Sequence, residues 1–259
     1  MMVSYATDDA QPARSDGPPT TERPTRGPGR ALQLGELFGF TEAARLLRRS
    51  GALRTRPMAP QPLTVVDIPG WLAPEASMVP LRSYLRRLGH DARGWGFGAN
   101  TMDPGEARDQ MLSQVDRLVD EAGKPIALLG WSLGGFVARE VARLRPAEVA
   151  TVVTFGSPII GGPKFTSAAR RTPPEEQARI VQEIAKAEAV GPIRCPVTVI
   201  YSRRDGVVDW RAQLDHETPG AVHREVRSTH LGLGLDPDVW EAVADGLERA
   251  TPRAGELHV

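Results

Sequence analysis

The stretch Leu128-Leu129-Gly130-Trp131-Ser132-Leu133-Gly134-Gly135 decides the fold of this chain. The apolar run at residues 126–129 predicts a short buried strand, and residues 136–144 predict the helix that follows it. Between them, glycines flank Ser132 at positions −2, +2 and +3, as a sharp strand-to-helix turn with no room for side chains requires. Such a turn exposes the serine hydroxyl beside free amides at a helix N-terminus, where developing negative charge is stabilised. Ser132 is therefore the candidate nucleophile.

A serine nucleophile needs a general base, and the base needs an orienting acid. Residues 196–202 predict a strand rich in β-branched side chains, and Asp205 lies in the turn at its C-terminal end. Residues 222–230 alternate like a strand and end on His230. Asp209 is the rival acid, but the sequence after it begins to look helical, and a helix N-cap is the usual role of such an aspartate. The candidate set is Ser132, Asp205 and His230.

The other reactive side chains have structural explanations. His90 enters a predicted strand, His223 lies inside one, and His216 and His258 lie in a polar segment and in the terminal tail. Cys195 is the only cysteine, so an intrachain disulfide is excluded, and we expect a buried structural thiol. There is no CxxC motif and no cluster with metal-ligand spacing. The sequence therefore predicts neither a metal nor a cofactor.

Four motifs together resemble the α/β-hydrolase superfamily, in particular serine esterases and lipases of an actinobacterial type. They span residues 63 to about 250 and are Pro69-Gly70-Trp71-Leu72, Gly130-Trp131-Ser132-Leu133-Gly134-Gly135, Tyr201-Ser202-Arg203-Arg204-Asp205-Gly206-Val207-Val208 and Ser228-Thr229-His230-Leu231-Gly232-Leu233-Gly234. The resemblance implies an α/β-hydrolase fold, with a mostly parallel central sheet and helices on both faces. None of the motifs is specific to a substrate.

The resemblance also implies an oxyanion hole made of two backbone amides. One is the amide of Leu133, which follows the nucleophile, and the other comes from the loop after Pro69-Gly70, with Trp71 as first choice and Leu72 as second. Pro69 stands where the family usually has histidine, which removes a side chain that often braces this loop. Trp71 and Trp131 flank the site in sequence, either as an apolar acyl pocket or as ordinary core residues.

Composition is typical of one soluble domain. The chain has 259 residues, 41% of them hydrophobic and 25% charged, which supports one sizeable core. A formal net charge of zero gives no electrostatic reason to expect nucleic-acid binding. The N-terminus lacks a basic region followed by an apolar one, and no apolar run approaches membrane-spanning length. We therefore expect a cytoplasmic location.

The chain divides into a disordered tail at residues 1–29, which has almost no large apolar side chains, and a hydrolase domain at residues 30–259. Residues 34–49 predict a basic amphipathic helix that packs on its own domain, with peripheral contact to a lipid surface as the alternative. Residues 161–190 predict a lid insertion, a short and partly apolar cover over the serine. Strands are predicted at 63–68, 91–94, 126–130, 149–155, 197–202 and 222–226. The first two strands of the family sheet have no counterpart before residue 63, which predicts a trimmed sheet.

The expected activity is hydrolysis of a small-molecule carboxylic ester through an acyl-enzyme on Ser132. Ser132 excludes an aspartate nucleophile. Acyl transfer and thioester hydrolysis by the same three residues remain alternatives, because they differ only in the attacking or leaving group. A non-catalytic binding protein would keep the fold with a broken triad. Nothing in the sequence predicts the acyl chain length, the alcohol or the oligomeric state.

Overall fold

The computed structural model describes residues 14–16, 18–169 and 172–250. In this part of the chain, seven strands form one sheet in the order β1-β7-β6-β5-β4-β2-β3. The strands are β1 (Arg14–Asp16), β2 (Thr64–Ile68), β3 (Asp91–Gly94), β4 (Ile126–Trp131), β5 (Val149–Phe155), β6 (Val197–Ser202) and β7 (Val222–Val226). The helices are α1 (Arg30–Gly35), α2 (Phe40–Thr55), α3 (Val79–Arg87), α4 (Pro104–Ala122), α5 (Leu133–Leu144), α6 (Pro174–Glu188) and α7 (Pro237–Glu248).

Strands β2 to β7 are parallel, and only β1 runs antiparallel, at the edge beside β7. The predicted mostly parallel sheet is confirmed, as is the position of each predicted strand. Strands β2 and β6 are buried along their whole length, as expected for a sheet covered on both faces. The described chain has one strand before residue 63, β1, which lies at the edge of the sheet opposite β3, and the trimmed sheet stays a prediction.

Helices cover both faces of the sheet. Buried side chains of α3 and α7, together with Leu53 of α2, form one apolar cluster against the strands. Helices α4 and α5 contribute Met111, Val115 and Val137 to a second cluster on the opposite face. Because β2 to β7 are parallel, their carboxyl ends lie at the same edge of the sheet, where loops can carry functional side chains.

Within the segment predicted as a disordered tail, residues 1–29, the structure describes residues 14–16 and 18–29 and has a strand at residues 14–16. Residues 1–13 and 17 lie outside the described residues. Strand β1 pairs with residues 222–224 of β7, and further along, Glu22 and Arg23 form ion pairs with Arg211 and Glu217. The composition argument missed this strand because a sheet edge offers unpaired backbone groups to any neighbouring segment, whatever its side chains.

The predicted helix over residues 34–49 is divided by a short 3-10 helix, Glu36–Phe38, into α1 and α2. It packs on its own domain with two kinds of side chain. Leu46 packs against the apolar cluster of α3 and α7, and Arg45 and Arg49 form ion pairs with Asp236, Asp238 and Glu241 at the start of α7. Four other apolar side chains of this segment are exposed, namely Leu34 (64%), Leu37 (74%), Phe38 (60%) and Leu47 (77%). Helix amphipathicity alone did not show which side faces the protein.

The segment predicted as a lid contains a short 3-10 helix, Gly162–Phe165, and α6. Arg179 of α6 forms an ion pair with Asp103, which caps the start of α4. Ile184 is buried, whereas Val181 is exposed. Helix α6 therefore rests against the start of α4, and a cover over Ser132 stays a prediction. Across the described ranges, no helix has both the length and the apolar character needed to cross a bilayer.

Candidate active site

Ser132 occupies the sharp turn between β4 and α5 that the sequence predicts. Its φ of +53° lies in a region that non-glycine residues rarely adopt, so the turn holds the serine in a strained conformation. The Ser132 N–H donates a 3.0 Å hydrogen bond to the carbonyl of Phe155 at the end of β5. The strain is maintained by this contact and by the tight packing around the turn.

The glycines on either side of Ser132 are required by the close approach of backbone. A Cβ atom on Gly134 would lie 2.1 Å from the Ile68 carbonyl oxygen, and one on Gly130 would lie 2.3 Å from the Cα of Gly135. Real Cβ contacts of this length do not occur, so any larger residue would displace α5 from the sheet. The predicted steric reason for the glycines is confirmed.

Asp205 and His230, the predicted acid and base, are in direct contact. Asp205 follows β6, His230 follows β7, and these two strands are neighbours in the sheet. The distance from His230 Nδ1 to Asp205 Oδ2 is 2.7 Å, and both side chains are almost fully buried. In addition, the Ser202 hydroxyl donates to the Ser228 carbonyl and accepts from the Arg204 amide, which joins the two loops.

The Asp205 carboxylate is held by donors on both oxygens. The amides of Val207 and Val208 donate to Oδ1 at 2.8 and 2.7 Å, and the side chain of Gln213 donates to Oδ2 at 3.0 Å. Gln213 is fully buried and also accepts from the Ser202 amide. Sequence reasoning missed Gln213, because a single glutamine in a polar segment carries no recognisable pattern.

Asp209, the rival acid, has the capping role predicted for it. Its side chain accepts from the Arg211 amide at 2.9 Å at the start of the 3-10 helix Trp210–Gln213. Burial, the largest effect, raises the pKa of Asp209, and the Arg211 amide opposes that shift. In the described chain Asp205, rather than Asp209, is the carboxylate that hydrogen-bonds to His230.

The other histidines in the described chain lie away from this pair. His90 Nδ1 accepts from the Leu63 amide at 3.2 Å, and His223 Nε2 accepts from the Asp215 amide at 3.1 Å. His216 lies in the loop before β7, and His258 lies outside the described residues. Cys195 is partly buried, and burial raises the pKa of its thiol to about 11, which disfavours the thiolate form.

The pKa of the His230 imidazole is raised above its ordinary value of 6.5. Burial is the largest single effect and by itself lowers the pKa, because it disfavours the charged ring. The negative charge and hydrogen bond of Asp205, with a further contribution from Glu36, outweigh burial. The surroundings of His230 therefore stabilise an imidazolium, which is the form a general base takes after it has accepted a proton.

Ser132 and His230 lie against the same turn of backbone. The Ser132 amide binds the carbonyl of Phe155, and a Cβ atom on the next residue, Gly156, would lie 3.1 Å from His230 Nδ1. The ring of Trp131 lies 5.8 Å from the His230 ring, measured between centroids. The hydrogen bonds of the described chain include none from the Ser132 hydroxyl to His230, a bond that often tightens only when substrate is bound.

The two candidates for the second oxyanion amide differ in their hydrogen bonding. The Leu72 amide donates to the carbonyl of Asn100 at 2.7 Å and is therefore occupied. The neighbouring residue Gly70 approaches Ser132 closely, since a Cβ atom built on it would lie 3.1 Å from the Ser132 Cβ. Leu133 is the first residue of α5, where helix geometry leaves the amide without a partner. These contacts favour Trp71 over Leu72 as the partner of Leu133.

Asn100 braces the loop that lacks the usual histidine. Its side-chain amide donates to the Pro69 carbonyl at 2.8 Å, its own carbonyl accepts from Leu72, and its backbone N–H donates to Ala73 at 3.0 Å. The side chain is fully buried. Asn100 lies about thirty residues after Pro69 in the sequence, so no local motif could have identified this role.

The two tryptophans beside the site have different surroundings. Trp131 stacks on Phe155, with 6.4 Å between ring centroids, and is partly buried against the core. Trp71 is 57% exposed, and Leu72 and Leu231 are exposed by similar fractions. Leu231 directly follows the candidate base, and Trp71 and Leu72 follow Gly70, whose backbone approaches the Ser132 side chain. Among the described residues, no group of three or more His, Cys, Asp or Glu side chains is placed to hold a metal ion.

Comparison with known proteins agrees with this architecture. Residues 65–254 match the model of the "Alpha/beta hydrolase family". A segment of 65 residues, 25% of the chain, is 37% identical to a pimeloyl-(acyl-carrier protein) methyl ester esterase from Klebsiella pneumoniae, and it spans 22% of that enzyme.

Similar solved structures include a monoacylglycerol lipase from Paleococcus ferrophilus, with a TM-score of 0.55 and 16% identity over 75% of this chain and 96% of that one. Another is a carboxylesterase from Bacillus subtilis, with a TM-score of 0.50 and 14% identity over 82% of this chain and 98% of that one. At such identities these likenesses show the fold alone. Because the family model matches well over half of its residues, the chain belongs to the α/β hydrolase family.

Proposed function

We propose that this chain is a serine hydrolase that cleaves carboxylic esters, with Ser132 as nucleophile, His230 as general base and Asp205 as the orienting acid. The observation that carries the proposal is the buried 2.7 Å hydrogen bond between His230 and Asp205, next to a serine held at positive φ. A strained serine beside a polarised imidazole is the arrangement that acyl transfer to a hydroxyl requires.

In the proposed reaction His230 takes the proton of the Ser132 hydroxyl as its oxygen attacks the ester carbonyl carbon. The amides of Leu133 and Trp71 donate to the oxygen that becomes negative. The intermediate collapses, the C–O bond to the alcohol breaks, and His230 returns the proton to the departing alkoxide. Water then attacks the acyl-enzyme by the same route, and Ser132 and a carboxylic acid are regenerated.

The substrate we infer is a small-molecule ester with an apolar acyl group. The exposed apolar side chains of Trp71, Leu72 and Leu231 support this substrate class. Leu231 directly follows His230, and Trp71 and Leu72 follow Gly70, whose backbone approaches the Ser132 side chain. The esterase and lipase activities named for the similar proteins point to the same chemistry. Acyl transfer and thioester hydrolysis use the same steps with a different acceptor or leaving group, and the experiment below distinguishes them.

The test compares wild type with Ser132→Ala on p-nitrophenyl esters of increasing acyl length. Ser132→Ala should lower kcat by about 10⁴-fold or more, because it removes the atom that forms the acyl-enzyme. Ser113→Ala, an exposed serine on α4, is the matched control and should retain wild-type kcat. A fluorophosphonate should label Ser132 alone, as located by peptide mass spectrometry. Equal activity of wild type and Ser132→Ala would exclude the proposal.

Further arms of that experiment identify the acceptor and leaving group. Adding an alcohol acceptor should leave the yield of free acid unchanged, and an acyl-thioester should react more slowly than the matching oxygen ester. If the acyl group goes mainly to the alcohol, the chain is an acyltransferase. If the thioester reacts faster, it is a thioesterase.

We also infer peripheral contact with a lipid surface through the exposed apolar side chains of the N-terminal segment. Leu34, Leu37 and Phe38 are all more than half exposed, and they flank Glu36, whose carboxylate contacts the loop of His230. Wild type should sediment with phospholipid vesicles, and Leu37→Asp should sediment less, because a charge opposes insertion of the apolar side chain. If wild type does not sediment, or if Leu37→Asp sediments as much as wild type does, the proposed contact through this segment is excluded.

A further inference from the structure

Glu36 joins the loop of the proposed acid to the loop of the proposed base. Its Oε1 accepts from the Gly206 amide at 2.6 Å and from the His230 amide at 2.8 Å. Its Oε2 accepts from the Leu231 amide at 2.9 Å. Gly206 directly follows Asp205, so a single carboxylate binds the backbone of His230 and that of the residue next to its partner. Hydrogen bonds from backbone amides to a carboxylate are among the stronger ones in proteins.

The N-terminal segment fits closely against the acid loop. A Cβ atom on Gly206 would lie 2.3 Å from the Leu32 carbonyl oxygen and 2.9 Å from the Glu36 Cγ, so only glycine leaves room for the segment. On the other side of Glu36, α2 is fastened to α7 by the ion pairs of Arg45 and Arg49. The chain on both sides of Glu36 is therefore held against the domain, by the packing of Leu32 on Gly206 and by the ion pairs of α2.

Glu36 belongs to a part of the chain that precedes the match to the family model, which begins at residue 65. Its partners Gly206, His230 and Leu231 all lie within the match. The separation of Glu36 from His230 along the sequence is nearly two hundred residues, so only the tertiary structure brings them together.

Charged groups approach the His230 loop from three elements. Asp205 contacts the imidazole from the loop after β6, Glu36 binds the His230 amide, and Glu42 of α2 accepts from the Thr229 amide at 3.1 Å. Of these, Asp205 and then Glu36 raise the pKa of His230, and together they outweigh burial, the largest single effect, which lowers it. Glu42 binds the same loop without a resolved effect on that pKa, which makes it a matched comparison for Glu36.

We propose that Glu36 is a positioning residue for His230 and Asp205: it holds the two loops at the separation their hydrogen bond requires and places a negative charge beside the imidazole. This inference rests on the proposed serine hydrolase function. Geometry of this kind affects turnover more than substrate binding, because the reacting atoms must be aligned in the transition state.

The central test is Glu36→Gln, which keeps the shape of the side chain and one acceptor oxygen but removes the charge and turns an N–H₂ group toward a backbone amide. We expect kcat to fall about tenfold while KM changes less than about twofold. The acidic limb of the pH profile of kcat/KM should move to lower pH, because a neutral residue no longer favours the imidazolium. Glu42→Gln, the matched control, should leave that limb at its wild-type position.

Glu36→Asp separates charge from geometry. It keeps a carboxylate but is one methylene too short to bind all three amides, so kcat should fall while the acidic limb stays closer to that of wild type. If Glu36→Gln does not fold, Glu36→Asp becomes the test of the proposal. A wild-type kcat in Glu36→Asp would then overturn it.

A readout without substrate distinguishes failure of this proposal from failure of the proposed function. The imidazole of His230 can be titrated by NMR in histidine-labelled protein, with His230→Gln identifying its signal. Glu36→Gln should lower the His230 pKa, and Glu42→Gln should not. If wild type hydrolyses esters but Glu36→Gln keeps both wild-type kcat and the wild-type His230 pKa, Glu36 has no positioning role. If wild type hydrolyses no ester and Ser132 resists fluorophosphonate, the proposed function fails, and the NMR titration still decides whether Glu36 acts on His230.

Discussion

The Asp205 carboxylate presents a single oxygen to the His230 imidazole, because its other oxygen is occupied by the amides of Val207 and Val208. A carboxylate can only accept, so in the neutral ring Nδ1 of His230 carries the proton and Nε2 is left as an acceptor. That tautomer is the one a general base requires toward a serine hydroxyl. Gln213 closes the remaining side of the carboxylate and fixes its orientation.

Asp205→Asn should lower kcat on an ester substrate by about 10⁴-fold while the protein remains folded. The asparagine oxygen is needed by the two amides, so its N–H₂ group faces both the donor of Gln213 and His230 Nδ1. The imidazole then has to present the wrong tautomer. Steady-state kinetics with circular dichroism on the same samples checks the expectation.

Asp209→Asn is the control for that substitution. It alters only the cap of a short 3-10 helix, so the free energy of unfolding should fall by about 1 kcal/mol at most, and kcat should stay near that of wild type. The opposite ranking of the two kcat values would make Asp209 the acid.

The raised pKa of His230 predicts opposite pH dependences for activity and stability. The neutral ring is the base, so kcat/KM should rise with pH along a limb centred above 6.5, the ordinary histidine value. Folding stabilises the protonated ring, so this contribution to stability is fully present below 6.5 and is lost as pH rises through the raised pKa of the folded state. Rate profiles and urea unfolding over the same pH range measure both.

His230→Gln is the reference for the stability measurement, because it removes this titration and no other. The difference between the unfolding free energies of wild type and His230→Gln should shrink as pH rises through that window. A constant difference across the range would show that the pKa of His230 is the same in the folded and unfolded chain.

Asn100→Ala should loosen the loop that carries Trp71. The Pro69 carbonyl would lose its buried donor, which costs about 1–3 kcal/mol in unfolding free energy. If the Trp71 amide binds the oxyanion, kcat should also fall, by about tenfold or more, because its distance to the reacting oxygen is no longer fixed. Thermal unfolding and steady-state kinetics measure the two effects.

Thr101→Ala is the control, because Thr101 is the exposed residue next to Asn100. Its unfolding free energy should differ from that of wild type by about 0.5 kcal/mol at most. An Asn100→Ala enzyme that melts earlier but keeps wild-type kcat would mean that the loop takes no part in catalysis.

Two N-terminal deletions separate the contribution of β1 from that of the segment around Glu36. Removing residues 1–29 deletes β1 and should cost about 1–2 kcal/mol through lost strand pairing, with activity retained. Removing residues 1–55 also takes away Glu36 and the ion pairs of α2 and uncovers apolar side chains of α3 and α7, including Tyr84 and Trp240. That protein should aggregate or melt far earlier. Melting curves and light scattering compare them, and equal behaviour of the two would contradict the packing of α2.

The sequence by itself determined the strands β2 to β7 and the candidates for reactive chemistry. The patterns that led to these predictions are local: glycines around Ser132, a β-branched run before Asp205 and an alternating run before His230. Such patterns reflect the backbone conformation that each segment prefers by itself. The strands predicted from them lie where the structure has them. Chain order then brought Asp205 and His230 to the ends of neighbouring strands, and their contact is as close as a hydrogen bond allows.

Only the tertiary structure decided which side chains support those residues. Glu36, Asn100 and Gln213 are single polar residues whose partners lie elsewhere in the chain or in a loop of irregular shape. The same is true of β1, which pairs with the open edge of β7, and of α2, whose Arg45 and Arg49 pair with acidic residues at the start of α7. Such roles arise from proximity after folding, and proximity between distant residues leaves no periodic signal in the sequence.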